Sequence, residues 1–125
     1  MLDIVKHITI SGKEYPMAFT LNVMEAIQEK YGSMKEWGEI IQPPKNEEPK
    51  IKDIKWTFTQ FINEGIDIEN EEKNEKITLV TEKQVGRLIS IAGMEKIKFE
   101  MMSVTAKSMK TDNPNEMTTQ NQMIQ

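Results

Sequence analysis

The period of the apolar residues changes at Thr20, and this change constrains the fold more than any other feature of the chain. Before Thr20, apolar side chains recur at every second position on both sides of Ser11-Gly12-Lys13. That alternation predicts an antiparallel β-hairpin within residues 1–19. After Thr20 the apolar residues recur every three or four positions, which predicts helices. The expected fold class is therefore mainly α with a small N-terminal β-hairpin (α+β).

About five helices follow from residues that favour helix starts and stops. The first is expected between Thr20 and Gly32, and the second from Ser33 to the residues before Pro43-Pro44. The third begins near Ile51 and is expected to stop at Asn63-Glu64-Gly65. The fourth and fifth are predicted at 81–93, with Thr81 and Gln84 as a capping box, and at about 94–109.

Three segments are expected to lie outside regular structure. Residues 43–50 hold three prolines and predict an exposed linker. Residues 64–76 carry six acidic and two basic side chains, which predicts a solvated loop. The polar stretch 110–125 shows no sustained period and is predicted to be a disordered tail. Residues 1–109 should then form a single compact domain.

The chain offers little catalytic chemistry. It has one histidine, no cysteine, and no HExxH, P-loop or GxSxG motif, so we expect a protein that is not an enzyme and needs no cofactor or metal. The single histidine, His7, is expected to be a partly exposed structural residue of the hairpin. The net charge of −4 gives no general attraction to nucleic acid or to anionic membranes. No secretory signal or membrane-spanning run is evident, which favours the cytoplasm.

Trp56 is the first candidate contact residue. On a helical wheel it projects at about 140° from Ile51, away from the apolar stripe of its own helix. It either covers an edge of its own domain or contacts a partner, because tryptophan is frequent in interface hot spots. Trp37, by contrast, lies on its stripe and is expected in the core.

The last helix supplies the other candidates, because it carries two apolar stripes at the same spacing. One contains Met94, Ile97, Met101 and Val104, and the other contains Phe99, Met102, Ala106 and Met109. A surface helix needs one apolar face to pack on its own domain, so the second implies deep burial or contact with another molecule. We favour the contact. Ten methionines in 125 residues fit either an adaptable binding surface or ordinary core filling.

The chain resembles the tail assembly chaperones of long-tailed (siphovirus-like) bacteriophages and prophages of Gram-positive hosts. The similarity covers the opening hairpin leading into TLNVMEAIQEKYGSMKEW from Thr20, FINEGIDIEN from Phe61 and TEKQVGRLI from Thr81. It implies a mainly helical fold, weak self-association, and a location in the cytoplasm of the bacterial host. It also implies that the chain binds and solubilises the tape-measure protein until tail-tube subunits displace it.

Two other functions remain open from the residues. The chain could be a small DNA-binding regulator that uses the helix pair at 81–109, with Lys96 and Lys98 near the groove, although its negative charge argues against this. It could also be a structural tail component, which would require a β-rich fold forming closed rings. If the chain is a tail assembly chaperone, no nucleic-acid or membrane partner is expected.

Overall fold

The computed structural model describes residues 4–44, 47–48 and 50–110. Its element order is β1 (Lys6–Ile10), β2 (Lys13–Met17), α1 (Leu21–Tyr31), α2 (Met34–Ile41), α3 (Ile51–Lys73), α4 (Glu82–Leu88) and α5 (Met94–Lys110). The predicted fold class, five helices behind an N-terminal hairpin, is confirmed. The predicted disordered tail falls on 111–125, outside the described residues, and Lys110 is the last residue of α5.

The hairpin closes through a two-residue turn. Ser11 and Gly12 both have positive φ, 52° and 81°, which matches the twist that a two-residue hairpin turn requires. Ile10 pairs with Lys13, and the register continues to Lys6 opposite Met17. Pro16 stands opposite His7, where the alternation of an antiparallel ladder needs no hydrogen bond between the two residues. The proline is therefore tolerated inside the strand.

Helix α3 is much longer than predicted, and the predicted loop at 64–76 is wrong over residues 64–73. The helix runs without interruption from Ile51 to Lys73, and its left-handed C-cap is Asn74 at φ 54°. Gly65 is buried inside the helix and lies against the hairpin: a Cβ on it would stand 2.7 Å from the backbone of Pro16 and Met17. This glycine therefore allows close packing and does not terminate the helix.

One acidic residue after Gly65, Glu69, and one just before it, Glu64, are less solvated than a loop would make them. Glu69, whose side chain is 14% exposed, accepts a hydrogen bond from His7 Nε2 at 2.6 Å and lies 3.6 Å from Lys73 Nζ. Glu64, just before the glycine, accepts from Thr20 Oγ1 at 2.6 Å and from the Asn22 amide at 3.2 Å. Part of the acidic run thus joins α3 to the hairpin and to the start of α1.

Two asparagines of α3 hold the connection to α4 in an extended form. The Asn70 amide donates to the carbonyl of Ile77 and accepts from its N–H, both at 3.0 Å. Asn63 makes the same pair of bonds with Val80, at 2.9 and 2.8 Å. Asn63 and Asn70 are seven helical residues apart, a rise of about 10.5 Å, and Ile77 and Val80 are three extended residues apart, a span of about 10 Å. The two distances match, so both asparagines can bond to the connection at once.

Helix α4 keeps its predicted start but ends earlier than predicted. The Thr81–Gln84 capping box is present, whereas the helix stops at Leu88 and Ile89 is extended at ψ 119°. Gly93 N–H then bonds to both the carbonyl and the hydroxyl of Ser90, forming the turn that leads into α5. A local turn has replaced the last helical residues that the sequence pattern suggested.

The core forms around α3, which contacts β2 and the other four helices. Phe61 lies near its centre, with ring centroids 5.8 Å from Phe19 and 6.4 Å from Trp37. Trp37 is 1% exposed, as predicted, and its indole N–H donates to the buried Thr57 hydroxyl at 3.1 Å. That bond satisfies the polar atoms of both side chains.

Replacing Gly65 with alanine should destabilise the protein. Alanine normally stabilises a helix interior relative to glycine by roughly 0.5–1 kcal/mol. At Gly65 the added methyl meets hairpin backbone at 2.7 Å, so overpacking should instead lower the free energy of unfolding by about 1–3 kcal/mol. Urea denaturation measures this.

The matched control is Gly38→Ala in α2, where a Cβ would meet nothing within 4 Å. This variant should be as stable as the native chain or slightly more stable. If both alanine variants gain stability, the close packing of α3 on the hairpin is wrong.

Candidate functional site

The two apolar stripes of α5 have different environments. Ile97, Met101 and Val104 of the first stripe are 4%, 0% and 5% exposed and belong to the core. Met94, the fourth member, is partly buried against the same core. This stripe attaches α5 to the rest of the fold.

The second stripe is largely open. Phe99 is 66% exposed and Met109 is 52% exposed, and Ala106 between them is also exposed. Met102 is partly buried and packs against the core, so it lies at the boundary between the two faces. We call Phe99, Met102, Ala106 and Met109 the outer α5 face.

Other contacts orient the outer α5 face by fixing the opposite sides of the helix. Lys6 of β1 pairs with Glu100 at 2.6 Å. A cleft of about 310 Å³ separates the start of the hairpin from Ser103, Val104 and Lys107. On the wheel, Val104 lies about 140° from Phe99 and about 160° from Ala106, whereas Ser103 lies about 40° and 60° from them, at the edge of the face.

Charged residues flank the outer α5 face. Lys98 is buried along most of its length, with its side chain 10% exposed, and its ammonium group donates to Glu95 at 3.2 Å. Glu95 itself is 79% exposed, and Lys110 at the other end of the helix is also exposed. An acidic group therefore stands near the N-terminal end of the face and a basic group near its C-terminal end.

Trp56 lies at the seam between α1 and α3. Its ring packs edge-on against Tyr31 with centroids 5.7 Å apart, and Lys30 Nζ stands 5.2 Å from its centroid. The Tyr31 hydroxyl donates to Asp53 at 2.6 Å, and burial together with this carboxylate raises the pKa of Tyr31. Trp56 thus covers an edge of its own domain, and its use by a partner stays a prediction.

The predicted contact residues therefore fall in two settings. The four α5 residues share one helix face, whereas the ring contacts of Trp56 are with α1. Sequence reasoning did not single out Ile91, which is 90% exposed in the turn before α5. Ile91 is exposed because α4 ends at Leu88. The sequence pattern placed Ile91 inside that helix and therefore gave no sign of its exposure.

A second cleft, of about 350 Å³, lies between β2, the second half of α3 and the extended connection. His7 and Glu69 meet at its wall, where their contact joins β1 to α3. Within 4–44, 47–48 and 50–110, no group of three or more histidine, aspartate or glutamate side chains is placed to hold a metal ion.

No helix in the described part of the chain is both long enough and apolar enough to cross a membrane.

No family model, curated protein or solved structure matches this chain.

The two faces of α5 should respond differently to substitution. Phe99→Gln changes an exposed position and should alter the free energy of unfolding by no more than about 0.5 kcal/mol. Met101→Ala empties a fully buried position and should cost about 2–5 kcal/mol. Thermal and urea denaturation of both variants test this difference. Equal losses would mean that Phe99 is buried in solution.

Proposed function

We propose that this chain is a non-enzymatic assembly chaperone that binds the tape-measure protein of a long-tailed phage. In this proposal the chain acts in the cytoplasm of the bacterial host and keeps its partner soluble until tail-tube subunits displace it. The observation that carries the proposal is the outer α5 face, whose largest side chains, Phe99 and Met109, are 66% and 52% exposed.

The outer α5 face has the form of a helix-docking surface. Phe99 and Met109 are ten residues apart, so they lie about 15 Å from each other along the helix axis. A second amphipathic helix presents apolar side chains at the same three- and four-residue spacing and could pack along this length. An extended helical partner offers that pattern repeatedly, whereas a small ligand would need a closed pocket.

The composition of the face suits a reversible contact. Methionine side chains are unbranched and polarisable, so Met102 and Met109 can adapt to partners whose apolar residues differ in shape. One face of a single helix buries less than the roughly 1,600 Å² of a standard stable interface, so binding by one copy should be weak. Several copies along one long partner could still cover its apolar surface, and each copy could be displaced separately.

The resemblance of three segments to tail assembly chaperones supports the same proposal and supplies the identity of the partner. Those segments include TLNVMEAIQEKYGSMKEW, which in this structure spans α1 and the start of α2, and TEKQVGRLI, which spans α4. They pack on α3, the helix that α5 also contacts. The partner's name rests on the resemblance, while the apolar helix-binding character rests on the outer α5 face.

The burial of Lys98 disfavours the DNA-binding alternative. That alternative needs Lys96 and Lys98 to face phosphates, but the Lys98 side chain is 10% exposed and is paired with Glu95. The ring-forming structural component is disfavoured as well. Among the described residues the only sheet is a two-stranded hairpin, whereas that component requires a β-rich fold.

Co-expression with the tape-measure protein expected in the same gene cluster tests the proposal. The native chain should raise the soluble fraction of the partner and co-purify with it in several copies. Phe99→Asp combined with Met109→Asp should abolish both effects, because two charges would be buried against an apolar helix. Met102 is left unchanged because it also contacts the core.

The matched control is Leu21→Asp combined with Ile51→Asp. Both residues are exposed apolar side chains, at 79% and 51%, and each is the first residue of its helix, where aspartate is tolerated. This control should solubilise the partner as the native chain does. A native chain that leaves the partner insoluble would refute the proposal. Equal loss of function in the two double variants would remove the outer α5 face from it.

A further inference from the structure

The outer α5 face is complementary to itself when one copy of α5 is reversed. Glu95 and Lys110 are equally far from the point midway between Met102 and Ser103, on opposite sides of it. Phe99 and Ala106 are also equally far from that point. At 100° per residue, these four residues fall within about 60° of one another on the wheel. From the N-terminal to the C-terminal end, this side of the helix therefore presents an acidic, a large apolar, a small apolar and a basic side chain.

We infer that this face pairs with the same face of a second copy of the chain, with the two α5 helices antiparallel about a two-fold axis near Met102 and Ser103. In this arrangement each Phe99 packs over Ala106 of the other copy. Each Glu95 stands beside Lys110 of the other copy. The inference concerns regulation of the face described under "Proposed function" and rests on that function for its purpose.

Size complementarity favours the antiparallel order. Antiparallel pairing places a 66% exposed phenylalanine opposite an alanine, which leaves room for the ring and lets the two backbones approach. Parallel pairing in the same register would set Phe99 against Phe99 and leave space between the two alanines. A two-fold axis repeats the favourable contact twice, as in an isologous interface.

Charge complementarity favours the same order. In the antiparallel pair the exposed Glu95 and Lys110 form two unlike-charge contacts, one at each end. In the parallel pair the same residues would give Glu95 beside Glu95 and Lys110 beside Lys110, both of which repel. One oxygen of Glu95 already accepts from Lys98, and the second can accept from the other copy.

The pairing should be weak. A helix of 17 residues is about 25 Å long, and one helix face buries less than the roughly 1,600 Å² of a standard stable interface. Such a contact shields Phe99 while the client is absent. A client helix binding the same face would have to displace the second copy, so self-association and client binding should be mutually exclusive.

The test uses sedimentation of the full chain over a range of concentrations. Glu95→Lys and Lys110→Glu should each weaken self-association by roughly ten-fold or more, since both end contacts become repulsive. An equimolar mixture of the two variants should regain native association, because every end contact is then again between unlike charges.

A second pair of variants tests the apolar contact without disturbing the Lys98–Glu95 bond. Phe99→Ala removes both rings and Ala106→Phe overfills both holes, so each should self-associate less than the native chain. Their mixture should associate better than either alone, since each alanine again faces a phenylalanine. Both positions are exposed, and circular dichroism should show both variants folded.

Three results would overturn the inference: a native chain that stays monomeric throughout, single variants that associate as the native chain does, or mixtures that associate no better than their components. These measurements use the chain alone. A chain that pairs as inferred but leaves the tape-measure protein insoluble would refute the proposed function and keep the pairing. A monomeric chain that solubilises the tape-measure protein would refute the pairing and keep the proposed function.

Discussion

The contact between the middle of α3 and the hairpin is the constraint on which the rest of the structure depends. Gly65 brings the helix against the backbone of Pro16 and Met17, and the Ala18 N–H bonds to the Phe61 carbonyl at 3.0 Å. A two-stranded hairpin is only marginally stable by itself in water, so it needs such a support. The hairpin in turn contributes Ile8 and Met17 to the core in which Phe61, Ile62 and Ile66 of α3 are buried.

Helix α3 also organises the polar contacts of the fold. Its glutamates reach the hairpin and the start of α1, while Asn63 and Asn70 hold the connection to α4 by its backbone. An asparagine amide has the same donor and acceptor as a peptide group, so it can satisfy an extended segment as a neighbouring strand would. This lets the chain pass from α3 to α4 without burying unpaired backbone groups.

The outer α5 face is exposed because the core built on α3 covers only one side of α5. The core built on α3 has room for one side of α5, and the stripe containing Met101 fills it. Phe99, Ala106 and Met109 remain outside because hairpin and core contacts fix the helix on its other sides. An exposed apolar helix face invites association, which the proposed function uses and the proposed self-pairing would shield.

The sequence by itself determined the hairpin, the number of helices, the N-caps of α1, α2 and α4, and the two faces of α5. Each depends on local chemistry: a period of two or 3.6 residues, a hydroxyl at Thr20, Ser33 or Thr81, or a turn residue such as Gly12. The tertiary structure decided the length of α3, the end of α4 and the environment of Trp56. Gly65 resembles a helix stop until the hairpin backbone is placed against it, and Glu64 and Glu69 resemble loop residues until Thr20 and His7 are there to pair with them. Likewise, Trp56 points away from its stripe, and only the approach of Tyr31 shows that another helix covers it. Such contacts join residues distant in sequence, so no local pattern reveals them.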